Sequence, residues 1–362
     1  MSDPVAPALI AIVLGVGLAI VLLVPFVAVS YRRRGKTGAW WMLGWFALLV
    51  YVVALWAYTL LPLPSDSYAC VGTQLVPFAS LADAQTYPHA SIGELLRNPA
   101  IQQVVLNIAL FAPLGFLLRS MFRRGIIVAT VGGFGASLLI ELTQLTGVWG
   151  IFPCAYRLFD VDDLMANTLG ALIGSLVALV VVRRRNTSQV AATPRPVTAG
   201  RRLLGMLCDV LIVGILGSVL AVGFRAVELY LLGIPFDRLN TTVETWLAVG
   251  VPLAAQLASV LITGSTLGEH VVLLRGRAAG LPPVLGRPLR FVFGIGGYGI
   301  LSASLFPSSA LLLVILCTAT LITLWASKNH RGLACVLSGM TVVDARGTID
   351  EDTSEQVTKL SN

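Results

Sequence analysis

Charge is scarce in this sequence. Only 12% of its 362 residues are Asp, Glu, Lys or Arg, against 56% that are hydrophobic. A soluble domain carries about 25% charged residues. The apolar residues come in blocks of about 20, long enough to cross a bilayer as helices. So many continuous runs cannot all be buried in one core, which excludes the soluble classes. Histidine is rarer still, with three in all, and the five cysteines show no CxxC or Cys/His spacing. A zinc site needs several such ligands together, so neither a metal nor a cofactor is expected. Internal repeats and nucleophile motifs are also missing.

What charge there is lies in order. The net charge is +7, which by itself would suit nucleic acid. The positions argue against that partner. Of 25 Lys and Arg, 21 fall in five short segments, at 32–36, 119–124, 183–202, 275–290 and 328–359. The positive-inside rule puts such segments in the cytoplasm, where they also meet anionic lipid. Arg97, Arg157, Arg225 and Arg238 remain for the outside. The first apolar run lacks a basic leader and is followed by Arg32, Arg33, Arg34 and Lys36. That pattern reads as a retained helix with its N-terminus outside.

The expected fold is all-α, a polytopic membrane protein of about nine transmembrane helices. The spans read as 7–30, 40–61, 101–118, 126–147, 161–182, 203–224, 244–263, 291–306 and 308–326. Residues 291–326 also admit one long helix and a re-entrant piece, divided near Pro307. The arrangement is 5+4. Residues 1–182 form a first membrane domain, and 183–202 a flexible cytoplasmic linker rich in Pro, Ser, Thr and Arg. Residues 203–345 form a second domain, and 346–362 a polar tail expected to be disordered. The localisation that follows is the plasma membrane, multi-pass, with the C-terminus cytoplasmic. Cys70 and Cys154 both fall on the outer face, where disulfides persist, and a Cys70–Cys154 bridge is expected.

The most informative stretch lies between two apolar runs, from Glu141 to Asn167. Ionisable groups at membrane depth are costly and mark function by default. A helix rises about 1.5 Å per residue. Counting inward from the outer ends of three spans puts Asn107, Glu141 and Asn167 at one level. Gln144, Arg157, Asp160 and Asp163 lie above them, toward the outer surface, with Gln102, Gln103 and Asp162. Glu141 and Gln144 share a helix face. Asp163, Asn167, Gly170 and Gly174 form one stripe, whose small residues let helices pack closely. Two readings follow. The set is either an outward-facing polar pocket, with Arg157 pairing a phosphate or Asp160, or an internal network that locks three helices.

The order NIALFAPLGF, then IELTQ, then RLFDVDDLMANTLGALIG resembles the VanZ-like membrane family over about residues 55–182. Asn107, Phe111, Pro113, Gly115, Glu141, Gln144, Arg157, Asp160, Asp163, Asn167 and Gly170 fall on its pattern. The insertion GVWGIFPCAY before Arg157 is longer and more apolar than the family's usual turn. The resemblance implies a helical membrane domain, and some members confer low-level resistance to the glycopeptide teicoplanin.

In the second half, AGRRLLGMLCDVLIV, GSTLGEHVVLLRG and RGLACVLSGMTVV resemble the RDD family over about 195–345. Arg202 and Asp209 fit its arginine and first aspartate, seven residues apart on one helix face, and read as a structural pair. Ala334 and Cys335 stand where the family has His-Asp, and Glu269 where a lysine follows TLG. Some members act in ion transport, and loss of the second aspartate weighs against that here. The leading expectation is a protein that binds membrane lipids, and at the outer pocket an amphiphilic envelope ligand, a lipid-linked headgroup or a glycopeptide. A cation or proton transporter using Asp209 and Glu141 is the first alternative. An enzyme acting on lipid headgroups is the second; paired carboxylates suit acid–base chemistry, but no nucleophile or metal set accompanies them.

Overall fold

The computed structural model describes residues 5–64, 68–88, 90–122, 124–181, 193–304 and 306–347. The segment 182–192, which holds most of the expected linker, and the tail from 348 lie outside the described residues. The chain is mostly helical and divides into two compact units. One comprises residues 1–17 and 43–185, the other 18–42 and 186–362.

Helices α1 (Val5–Val21) and α2 (Leu23–Arg34) replace the single first span, bent by 56°. Pro25 explains the break, since it has no N–H to give to the carbonyl of Val21 and its ring crowds that turn. Helix α3 (Ala39–Leu60) follows, then strand β1 (Thr73–Gln74) and the short helices α4 (Ala79–Gln85) and α5 (Ile92–Arg97). Helix α6 (Pro99–Ser120) starts with Asn98 as its cap, the Asn98 side chain accepting from Ala100 N, and with proline at its first position. Both choices suit a helix N-terminus, whose first N–H groups have no intrahelical acceptor. Helix α7 (Ile126–Leu145) is followed by α8 (Gly147–Gly150), where Val148 and Trp149 take positive φ. Strand β2 (Phe159–Asp160) pairs in parallel with β1 and leads into α9 (Val161–Val181).

Three glycines set the closest approaches to backbone in this unit. A Cβ on Gly115 of α6 would lie 1.8 Å from Ala171 O of α9. One on Gly174 would lie 1.8 Å from Ala112 O, and one on Gly170 2.3 Å from Ile108 O. The two backbones touch, as small residues allow inside a bilayer. Leu55, Phe111 and Ile140, from α3, α6 and α7, form the buried apolar core beside this contact. Tyr51 of α3 donates its hydroxyl to Leu110 O, in the turn that Pro113 interrupts.

In the second unit, α10 (Ala199–Ala226) begins inside the segment read as linker and runs on through a π turn, Val227–Leu231. Helix α11 (Thr241–Thr245) continues through a second π turn, Trp246–Gly250, into α12 (Val251–Thr263). Helix α13 (Leu267–Val271) precedes strand β3 (Leu274–Ala278). Then come α14 (Pro283–Val292), α15 (Ile295–Ser302), α16 (Ser309–Ala326), α17 (Gly332–Leu337) and strand β4 (Met340–Asp344), antiparallel to β3.

Among the described residues, seven helices are long and apolar enough to cross a membrane, or eight if the bent α1–α2 pair is one span. The remaining expected span, 291–306, is not one helix. Residues 294–299 hold four glycines, Gly294 leaves helical geometry at φ −120° and ψ −125°, and α15 has only 8 residues. Glycine lowers helix stability by roughly 1 kcal/mol each relative to alanine. High hydropathy over this stretch therefore does not make a continuous helix.

Candidate functional site

The polar groups of the first unit collect where α6, α7, α9 and the β1–β2 pair meet. Asp163, in the first turn of α9, receives Asn107 Nδ2 at 2.5 Å and Gln103 Nε2 at 3.1 Å, both from α6. Glu141 of α7, 4% exposed, takes the backbone N–H of Asp160 at 3.2 Å on Oε2. Asp160 Oδ1 accepts from Gln74 Nε2 at 3.4 Å and from the N–H of Asp162 at 2.9 Å. Burial pushes the Asp160 carboxyl above its ordinary range, against the hydrogen bonds it accepts. Glu141 sits within electrostatic reach of Asp163, Asp160 and Arg157.

Each of these three carboxylates keeps one oxygen open. Among the described residues, Oε1 of Glu141, Oδ2 of Asp160 and Oδ2 of Asp163 accept no hydrogen bond. Asn167, one turn below Asp163, gives Nδ2 to Ser137 Oγ at 2.9 Å. Its Oδ1 is buried without a partner among the described residues. Unsatisfied acceptors at depth are uncommon and call for an explanation.

Not every expected residue joins this group. Arg157 does not pair with Asp160; its Nη2 donates to Leu61 O at 2.7 Å. Gln144 gives its amide to Thr59 O at 2.6 Å, tying α7 to the end of α3. Asn107 meets Asp163, not Asn167, because a count along a helix fixes depth only from that helix's own end. Sequence reasoning missed Ser137, although it lies four residues before Glu141 on the same face. It also missed the role of Asp162, whose carboxylate takes the N–H groups of Phe78 and Ser80 at 2.6 and 2.7 Å. Asp162 thus anchors the segment at Phe78 and Ser80 beside the site. Cys70 and Cys154 are bonded, with Cα atoms 5.7 Å apart, and Tyr68 donates its hydroxyl to Cys154 O at 3.0 Å beside them.

The second-unit pair is rearranged. Arg202 does not contact Asp209. It donates to Glu269, His330 O and Arg331 O, and Arg290 donates to the same Glu269 oxygen. Burial opposes the charge on Glu269, but Arg290 and Arg202 outweigh it and hold the carboxyl below its ordinary range. Asp209 accepts from Gln256 Nε2 at 2.9 Å, Thr266 Oγ1 at 2.6 Å and Gly268 N at 2.6 Å. The sequence signal for this was present. TLGE is a capping box, and Thr266 and Glu269 complete it by accepting from each other's backbone. Among the described residues no group of His, Cys, Asp or Glu is arranged to hold a metal.

Residues 46–182 match the family model VanZ-LLP1, described as VanZ/LLP1. This segment is a VanZ-like domain, and it contains every residue of the polar site. No curated protein and no solved structure matches the chain.

Proposed function

We propose that the VanZ-like domain binds the polar head of an amphiphilic envelope ligand, a lipid-linked headgroup or a glycopeptide, at the cluster of Glu141, Asp160, Asp163 and Asn167. Asn107, Gln144 and Arg157 frame it. The observation that carries the reading is the set of open acceptors, one oxygen on each of three carboxylates plus the amide oxygen of Asn167. A ligand bearing amine or hydroxyl donors would satisfy them together. A mere lock between helices would close its own hydrogen bonds, as Glu269 does in the other unit. The apolar helices around the cluster favour a ligand that is itself anchored in lipid.

In this reading the N-terminus is outside, the cluster faces outward in the plasma membrane, and the C-terminus is cytoplasmic. Residues 203–345 form the second, RDD-like domain, joined by 183–202. The resemblance to VanZ-like proteins links the ligand to glycopeptide tolerance. The reading needs no catalytic step. Cation movement through Glu141 and Asp209 is the alternative. Both oxygens of Asp209 already accept hydrogen bonds, which argues for anchoring. The test is teicoplanin tolerance in cells expressing wild type or Glu141→Gln at equal level. Loss of tolerance with normal expression supports the pocket; a conductance or proton flux abolished by both Glu141→Gln and Asp209→Asn supports transport.

A further inference from the structure

The second unit carries a cavity of about 370 Å³ that the reading above does not use. That volume lies within the ordinary range of small-molecule pockets. Its walls come from α10, α13, α14, α15, α16 and α17. Three guanidiniums line it, from Arg202, Arg290 and Arg331, against two carboxylates, from Asp209 and Glu269. The cavity therefore carries a surplus of one positive charge when all five are ionised.

The groups divide into two kinds. Arg202, Arg290 and Glu269 are closed on one another and are each under 5% exposed. Arg331 is half-buried and gives Nε and Nη2 to Met340 O at 3.0 and 2.9 Å. Its Nη1 has no partner among the described residues. Neither do the hydroxyls of Tyr298 and Thr320, which line the same cavity. So donors that the fold itself leaves open line the same cavity as the charge surplus.

The remaining wall is apolar, and it is apolar at depth. Arg202 lies three residues into α10, and Val210 eleven residues in, about 16 Å along the axis. Arg331 lies beyond the end of α16, and Leu316 is ten residues before that end, about 15 Å in. Arg202 reaches the carbonyl of Arg331, so both helix ends belong to the same membrane boundary. Arg202, Glu269, Arg290 and Arg331 lie toward the rim and Met206, Val210, Phe293 and Leu316 line the cavity below, where the one carboxylate, Asp209, is closed by Gln256, Thr266 and Gly268.

We infer that this cavity binds an anionic phospholipid of the bilayer, its phosphate on Arg331 with the Tyr298 and Thr320 hydroxyls and one acyl chain running inward past Val210 and Leu316. Charge complementarity selects the head. The apolar depth selects a lipid over a free anion. The site is separate from the carboxylate cluster of the first unit, which would repel a phosphate.

The experiment is native mass spectrometry on the purified full chain, equilibrated with equal amounts of dioleoylphosphatidylglycerol and dioleoylphosphatidylcholine. Wild type should retain the anionic lipid about tenfold over the zwitterionic one, because both offer the phosphate but the choline cation of the second is repelled by the surplus positive charge. Arg331→Gln, Thr320→Val and Cys317→Trp, the last filling the cavity from an exposed wall position, should each reduce that preference. Gly135→Ala on α7, where nothing lies within 4 Å of an added Cβ and no residue of that helix lines this cavity, should leave it unchanged. Melting temperature is read on every variant, and Thr320→Val and Cys317→Trp carry the test if Arg331→Gln fails to fold. Millimolar inorganic phosphate should not displace the lipid. Equal retention of both lipids by wild type would overturn the proposal. So would an undiminished preference in folded Thr320→Val and Cys317→Trp, or full displacement by inorganic phosphate.

Discussion

Gly174→Ala should separate α6 from α9 and open the carboxylate cluster. The added methyl would start 1.8 Å from Ala112 O, whereas ordinary contact begins at 3.4 Å. The obstacle is backbone and cannot rotate away, so the helices must part by roughly 1.5 Å, an overpacking that costs about 1–3 kcal/mol. A rigid shift of that size would lengthen the 2.5 Å contact of Asn107 with Asp163 to about 4 Å, past hydrogen-bond range. Gly135→Ala on α7 is the control, because nothing lies within 4 Å of its added Cβ. There the gain in helix propensity should leave stability equal or higher by up to about 1 kcal/mol. The assay is thermal unfolding of the purified chain in one detergent, with ligand retention read on the same samples. A Gly174→Ala protein as stable as wild type, or a Gly135→Ala protein destabilised as much as Gly174→Ala, would refute the reasoning.

Further outcomes follow from the same contacts. The disulfide closes a loop of 84 residues, so Cys70→Ser should cost about 4–5 kcal/mol in the chain-entropy account; an unchanged melting temperature with and without reductant contradicts it. Glu269→Gln leaves Arg202 and Arg290 facing each other without a full counter-charge, and removing one member of such a buried group costs roughly 3–5 kcal/mol. The measurement is expression and melting temperature, and Arg202→Met with Glu269→Gln should be milder than Glu269→Gln alone. Asp344 is held below its ordinary range because Arg346 and Arg201 outweigh the cost of its burial. Its contribution is therefore complete above the unfolded pKa of about 4 and is lost as pH falls below it. Asp344→Asn should flatten the fall of melting temperature on acidification in that window, and an unaltered profile counts against the assignment.

Seven of the spans were legible because hydropathy and length suffice for an uninterrupted helix. The bend in the first and the break in the eighth were not, since window averages hide what Pro25 and the four glycines of 294–299 do to hydrogen bonding. The stripe of Asp163, Asn167, Gly170 and Gly174 follows from helical spacing alone, and α6 packs along it. Spacing could not say where long side chains turn. Arg157 and Gln144 end on Leu61 O and Thr59 O, carbonyls exposed where α3 stops, and only the tertiary fold brings those within reach. Asp209 lacked an evident partner in sequence because its partners come from Thr266 and Gly268 at the start of α13 and from Gln256 of α12, not from its own helix.

The central claim is that the open oxygens of Glu141, Asp160 and Asp163 receive a ligand. Mass spectrometry of lipids and glycopeptide retained by wild type and by the Glu141→Gln, Asp163→Asn double variant tests it most directly. Both substitutions nearly preserve shape, so the double variant should fold. The account predicts that wild type retains a headgroup-bearing amphiphile which the folded double variant loses, together with the associated tolerance. Equal retention by a double variant with the wild-type melting temperature would contradict it and leave the cluster as scaffold.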